Sequence, residues 1–331
     1  MAVVTASSSG GTEFGQREIE KLWRHGPGHV GAYQSIAWFY AATTGQISIR
    51  HGMRGPSGVI AAEQAGGLDA IGQARRVLRN DASLVLTGGT DASLCPYGLV
   101  AQLSTGWLST HHDPDLAYRP FDPQACGYLP GEGGAMLVAE DAGHAAARNA
   151  PHVYGMIAGY AAAFDPAPGS GRPPVLEWVI RAALSDAHVV PGAVDVIFAD
   201  AAGVPERDQA EAAAIRAVFG PGAVPVTAPK TMTGRLYAGG GALDVATALL
   251  ALRDGVVPPT TGVRAPAAGL GLDLVCTEPR PARLRSALVL ARGYGGFNSA
   301  VLVSAAPAAS GGGGPNKEKE AMTCGSSPRT T

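Results

Sequence analysis

The chain has 331 residues, 46% of them hydrophobic and only 16% charged, with a formal net charge of −2. That much apolar content with so little charge excludes disorder over most of the length, and the near-neutral balance offers no basic face for nucleic acid. No apolar run reaches the roughly 18–20 residues that a membrane span requires. The opening MAVVTASSSGG also lacks the basic and then hydrophobic order of a signal peptide.

Short β-branched runs alternate with longer Ala/Leu-rich segments. The first half reads as a strand at Val3–Ala6, helices at Phe14–Arg24, Tyr33–Thr43 and Gln64–Arg79, a strand at Ser83–Thr87, a helix at Ala92–Leu103 and a strand at Ala135–Ala139. The second half reads as a helix at Leu176–Ala187, a strand at Val194–Ala199, a helix at Arg207–Val218 and a strand at Val224–Thr227. A helix at Gly241–Asp254 and strands at Ser286–Ala291 and Ala300–Ser304 complete it. In the last helix Leu243, Ala246, Leu249, Leu250 and Leu252 fall near a 3.6-residue period. Unbroken apolar strands such as LVL and ALVLA suit a sheet covered on both faces, and the alternation implies layered α/β architecture. The Pro/Gly-rich Asp165–Pro174 reads as a join between two halves, and Pro307–Thr331, with GGGG and PNKEKE, as a flexible tail.

Four phrases carry more information than periodicity does: HGMRGPSGVIAAEQAGGLDA (His51–Ala70), RPFDPQACGYLPGEGGAMLVAED (Arg119–Asp141), PKTMTGRLYAGGGALD (Pro229–Asp244) and GYGGFNSAVLV (Gly293–Val303). In order and spacing the set resembles the β-ketoacyl synthases of the thiolase fold. It is most similar to the chain length factors, the partner subunits of ketosynthases in type II aromatic polyketide synthases. The resemblance covers nearly all of Met1–Val303. It implies a layered α-β-α-β-α fold of two pseudo-equivalent halves, residues 1–150 and 151–305, followed by a tail over 306–331.

The departures from the family pattern decide the expected chemistry. An active ketosynthase places a cysteine at the start of a buried helix, where the helix terminus lowers the thiol pKa and N–H groups stabilise an oxyanion. By resemblance Gln64 takes the place of that cysteine, and an amide forms no acyl thioester. The two histidine phrases of the family match DAAGVPERD and KTMTGR, which put Asp200 and Arg235 where the imidazoles would be and retain Lys230. A carboxylate and a guanidinium cannot replace two neutral imidazoles that polarise a carbonyl.

The resemblance leaves three readings. In the first, the chain pairs with an active ketosynthase and shapes the tunnel that limits chain length. Its gate would be Thr12, Gly15 and Ile19, spaced three and four apart on one helical face, with Lys230 and Phe297 beside the pocket. All three gate residues are smaller than Phe, which implies a product at the longer end of the family's range. In the second, the Gln64 amide supports decarboxylation of malonyl units on an acyl carrier protein by donating to the forming enolate. In the third, the site is a heterodimer scaffold, with the Gln64 amide bonded to backbone and Asp200 and Arg235 joined in a buried ion pair.

The other features have plainer readings. Tyr33, Trp38, Phe39 and Tyr40 form a dense aromatic group, either at a subunit interface or in the core. Cys95 and Cys126 read as inert, neither opening a helix in a small-residue turn. No histidine or cysteine spacing marks a metal site and no phosphate loop is present, so neither metal nor cofactor is expected. Cysteine usage fits a reducing, cytoplasmic setting. Relative to the family the first half is expected to lack roughly a hundred N-terminal residues. Val3–Ala6, close behind Met1, would then want a neighbouring strand and leave an aggregation-prone sheet.

Overall fold

The computed structural model describes residues 1–80 and 82–306. In chain order these residues form β1 (Ala2–Ala6), α1 (Thr12–His25), α2 (Gln34–Ala37), α3 (Ala42–Arg50), β2 (Ser57–Ile60), α4 (Gly66–Asn80), β3 (Leu84–Asp91) and α5 (Pro96–Leu103). They continue through β4 (Gly133–Glu140), α6 (Ala142–Ala147), β5 (Gly155–Phe164), α7 (Leu176–Asp186), β6 (Val196–Phe198), α8 (Pro205–Phe219) and β7 (Pro225–Thr227). The last elements are α9 (Ala238–Asp254), β8 (Val256–Val257), β9 (Asp273–Leu274), β10 (Arg280–Pro281), β11 (Ser286–Arg292) and β12 (Phe297–Ala305).

Two sheets dominate, with strand orders β2-β1-β3-β4 and β5-β12-β11-β6-β7-β9. They share a motif. In the first, β1 pairs in parallel with β2 and β3, and β3 pairs antiparallel with β4. In the second, β6 pairs in parallel with β7 and β11, and β11 pairs antiparallel with β12. The chain is therefore folded as two halves of matching topology, as the family resemblance implies. Helices α4 and α9 lie between the sheets, touching both, while α7 and α8 pack on each other outside the second sheet. Buried Leu68, Ile71, Val245, Ala248, Phe198, Val289 and Val301 form the core between the layers. Contact with both sheets explains why α9 is mostly apolar, with nine of its seventeen residues buried.

Several expectations need correction. Strand β1 is buried and paired on both sides, so the first sheet does not lack a central neighbour. Its edges are β2 and β4, neither of which pairs with a further strand among the described residues, and on β4 Met136 and Val138 are exposed. The expected helix at Tyr33–Thr43 is two helices, α2 and α3, broken by a turn in which Ala42 N donates to Phe39 O at 2.9 Å. The break leaves Phe39 and Tyr40 exposed and sets the Trp38 ring against Gly15 of α1, while Thr44 Oγ1 meets Thr5 Oγ1 at 2.6 Å and anchors α3 to β1. Helix α5 starts four residues later than Ala92 because Pro96 occupies its first turn, a position suited to its fixed φ. Cys95 stands at the N-cap position of that helix, between Leu94 and Pro96, and its side chain makes no capping hydrogen bond. Asp165–Pro174 is a loop between β5 and α7, both of which belong to the second layer set, and is not the join between halves. The tail reading for Pro307–Thr331 lies outside the described residues.

Among the polar contacts between the two halves, Tyr160 Oη on β5 donates to Asp69 Oδ1 on α4 at 3.0 Å. Burial pushes the Asp69 carboxyl up to about 6. An acid raised above its unfolded value, near 4, favours the fold below that value, and the contribution is lost as pH rises through the folded value. Melting temperature is therefore expected to include a fall between about pH 4 and pH 6 that Asp69→Asn flattens. Identical slopes in parent and variant, followed by circular dichroism, would refute the assignment.

Candidate functional site

Gln64 sits in a single 3-10 turn, Glu63–Ala65, wedged between β2 and the start of α4. It is 6% exposed. The matching place in the second half, just ahead of α9, holds Arg235. The two meet because α4 and α9 approach with almost no spacer. A Cβ built on Gly67 would lie 2.3 Å from Ala238 O, so only glycine allows the contact. Asp91, at the end of β3, fastens this junction. Its carboxylate accepts from Ser7 Oγ (2.8 Å), the N–H groups of Ser8 and Ser9 (2.9 and 3.0 Å) and Ala238 N (3.0 Å).

Asp200, directly after β6, is joined to Arg235 in a buried ion pair. Arg235 Nη2 donates to Asp200 Oδ1 at 2.8 Å, and Nη1 donates to Asp200 O at 2.6 Å. Arg292 N donates to the same Asp200 Oδ1 at 2.8 Å, and Arg235 Nη2 also reaches Arg292 O at 3.1 Å. From behind, Glu211 on α8 accepts the N–H groups of Asp200 and Ala201 at 2.7 and 2.9 Å. Burial works against the charge of Asp200, but Arg235, Lys230 and Arg207 outweigh it and hold the carboxyl well below its ordinary value. Burial likewise opposes the Arg235 charge, and Asp200 outweighs it and raises the guanidinium. Lys230 is paired with Asp244 on α9, its Nζ 2.7 Å from Oδ2, both side chains buried.

Two cavities flank this network. The smaller, about 10 Å³, is lined by Glu63, Gln64, Trp107, Tyr128, Ala202, Arg207, Arg235, Arg292 and Tyr294. It is at the lower limit for a single water molecule, far too small for a thioester. Arg207 stacks over Trp107 at 4.4 Å and closes its outer side. Among the described residues the Gln64 side-chain amide makes no hydrogen bond, so the expected bond to backbone is absent. The larger cavity, about 390 Å³, is bounded by Ser8, Ser9, Thr12, Trp38, Glu63, Tyr97, Tyr237 and Phe297, among others. That volume falls within the range of small-molecule sites.

The expected site residues thus divide. Gln64 and Arg235 share the small cavity, with Asp200 bound to Arg235. Thr12 and Phe297 share the large one. Lys230 lines neither. Phe297 therefore lies across Glu63 from Gln64, and Tyr294 is the member of its loop that faces Gln64. Helix α1 buries Thr12, Gly15 and Glu18, whereas Ile19 is 39% exposed. At Gly15 a Cβ would fall 2.1 Å from the Trp38 ring, so the indole already fills the space that glycine vacates. The residues unforeseen from sequence are Glu63, Arg207 and Arg292, whereas Trp38, from the aromatic group, lines the larger cavity. A charged side chain inside the apolar run VIAAEQAGG was the one visible signal.

Replacing one member of the buried pair leaves the other uncompensated. Arg235→Met is expected to cost about 3–5 kcal/mol, a fall in melting temperature on the order of 10 °C. The double variant Asp200→Asn/Arg235→Met should recover part of it. A single variant within about 1 kcal/mol of the parent would show the pair to be dispensable.

Residues 1–145 match the profile of the β-ketoacyl synthase N-terminal domain and residues 154–264 that of its C-terminal domain. Among curated proteins, the chain is 64% identical over 304 residues to the tetracenomycin polyketide synthase ketoacyl synthase beta subunit of Streptomyces glaucescens, covering 92% of this chain and 74% of that one. It is 60% identical over 303 residues to the actinorhodin polyketide putative beta-ketoacyl synthase 2 of Streptomyces coelicolor, with the same coverage. Among solved structures, the ishigamide ketosynthase/chain length factor superposes with a TM-score of 0.85 at 26% identity, over 93% of this chain and 76% of that one. A type II PKS acyl-carrier protein in complex with its ketosynthase bound to the hexaketide gives a TM-score of 0.87 at 25% identity, over 92% and 78%. The chain belongs to the β-ketoacyl synthase family, on the branch of the polyketide synthase beta subunits.

Proposed function

We propose that this protein is the non-condensing partner subunit of a type II polyketide ketosynthase, which forms a heterodimer with the active subunit and shapes the space into which the growing chain extends. The observation that carries this reading is the pairing of a filled site with an open cavity. Where the family's nucleophile and two histidines would act there are Gln64, Asp200 and Arg235, the last two locked in an ion pair around about 10 Å³ of space. Next to it lies about 390 Å³ walled by serines, Thr12 and aromatic rings. A mixed polar and aromatic wall suits a chain that alternates carbonyl and methylene groups. The active partner supplies the nucleophilic cysteine, and an acyl carrier protein delivers the building units.

An exposed apolar face supports the heterodimer. Tyr33, Ile36, Phe39 and Tyr40, with Tyr97, Val100 and Leu103 of α5, are each more than two-fifths exposed. Aromatic side chains in that number belong at protein interfaces, and their exposure argues against the alternative that they are core. The geometry also weighs against decarboxylation by Gln64, because its cavity admits no malonyl thioester. The scaffold role of Asp200 and Arg235 is compatible with the main reading, since their pair fixes loops that border the cavity. No described helix is long and apolar enough to cross a membrane, and a cytoplasmic site of action is part of the proposal. So is the division into ketoacyl-synthase-like halves at residues 1–150 and 151–305.

Of the proposed gate residues, Thr12 faces the cavity directly. In the complex reconstituted with its ketosynthase, Thr12→Phe is expected to shorten the polyketide by at least one two-carbon unit. Gly15→Phe, made together with Trp38→Gly so that the new ring takes the place of the indole, should also shorten it. Unchanged product mass in both variants, in a complex that still condenses, would dismiss the gate.

A further inference from the structure

The turn ahead of α4 contains an arrangement that the missing nucleophile does not explain. Gln64 N and Tyr294 N, from segments far apart in sequence, both donate to one atom, Glu63 Oε2, at 2.6 and 2.9 Å. Two backbone N–H groups converging on a single oxygen form the donor pair that binds a carboxylate or a developing oxyanion. The surroundings are shaped around the occupant. A Cβ on Gly293 would come 2.8 Å from Glu63 Oε2, so glycine there makes room for the carboxylate. Gly293 N donates to Phe297 O at 2.9 Å, which folds the loop that presents Tyr294 N. Glu63 itself has φ 51°, a left-handed conformation that a glutamate adopts only when its neighbours hold it there. Its side chain borders both cavities.

We propose that Gln64 N–H and Tyr294 N–H form an intact oxyanion site permanently occupied by the chain's own Glu63, so that Glu63 both excludes an acyl carbonyl from the site and forms the wall between the two cavities. Removing the side chain then opens a site for small carboxylates that is continuous with the larger cavity. The inference rests on the two donor bonds and stands whether or not the chain sets polyketide length.

The full chain is compared with Glu63→Gly, a substitution suited to the positive φ. Thermal unfolding is followed in sodium acetate and in sodium chloride of equal ionic strength. Acetate is expected to raise the melting temperature of the variant by about 2–4 °C at about 50 mM. It should leave the parent unchanged, and Glu63→Gln also, whose amide oxygen still accepts both N–H groups. An acetate response equal in parent and Glu63→Gly, or absent from a folded Glu63→Gly, overturns the proposal. Amide hydrogen exchange on the unaltered chain gives a readout that needs no variant. Gln64 and Tyr294 should both be protected, and fast exchange at either one overturns it equally.

Discussion

The close contact of α4 with α9 is the constraint on which the rest of the structure depends. Both helices are buried between two sheets, and both begin at the same depth, because Gly67 lets the backbone of Ala238 come to within van der Waals distance. Whatever residues precede the two helices are consequently forced together: Glu63 and Gln64 from one half, Arg235 and Tyr237 from the other. The pseudo-repeat of strand order thus does more than build a core. It turns two segments that are distant in sequence into one site, and it does so whether that site holds reactive groups or inert ones.

In this chain the junction holds charge in place of chemistry. An apolar filling would have closed the pocket with less desolvation, since a buried ion pair seldom stabilises more than well-packed hydrophobic groups of the same volume. What the charged filling adds is direction. Asp200 binds Arg235 through both its carboxylate and its carbonyl, accepts Arg292 N, and has its own N–H held by Glu211. Four separate segments are fixed relative to one another by bonds with defined angles. Two of these segments run on to the cavity beside Thr12, through Tyr237 after Arg235 and Phe297 after Arg292, so part of its wall is held from behind by charge.

Much of the site was legible because its motifs are long and ordered. Gln64, Asp200 and Arg235 could be placed by their phrases, and strands β3 and β11 by their apolar runs LVL and ALVLA. Other features depend on tertiary contact and left little trace. Strand β5, GMIAGYAAAF, is rich in Gly and Ala, residues of poor strand propensity, and is extended because it pairs with β12. The break between α2 and α3 sets Trp38 against Gly15 and leaves Phe39 and Tyr40 exposed, which periodicity alone does not show. Glu63 resembles any acidic residue at a helix start until its carboxylate is seen bound by two N–H groups. Ile19 has helical spacing from Gly15, yet Glu18 takes the buried position because Gly31 N donates to it at 2.6 Å.

The fit of Trp38 against Gly15 has a consequence for anyone seeking to redesign this protein. The two positions behave as a mortise and tenon: enlarging one requires trimming the other, or the wall between α1 and α2 comes apart. Libraries that randomise the helix while keeping the indole would mostly sample misfits and mistake them for forbidden product lengths. Varying the residues jointly, with total side-chain volume held near that of glycine plus tryptophan, separates capacity from integrity.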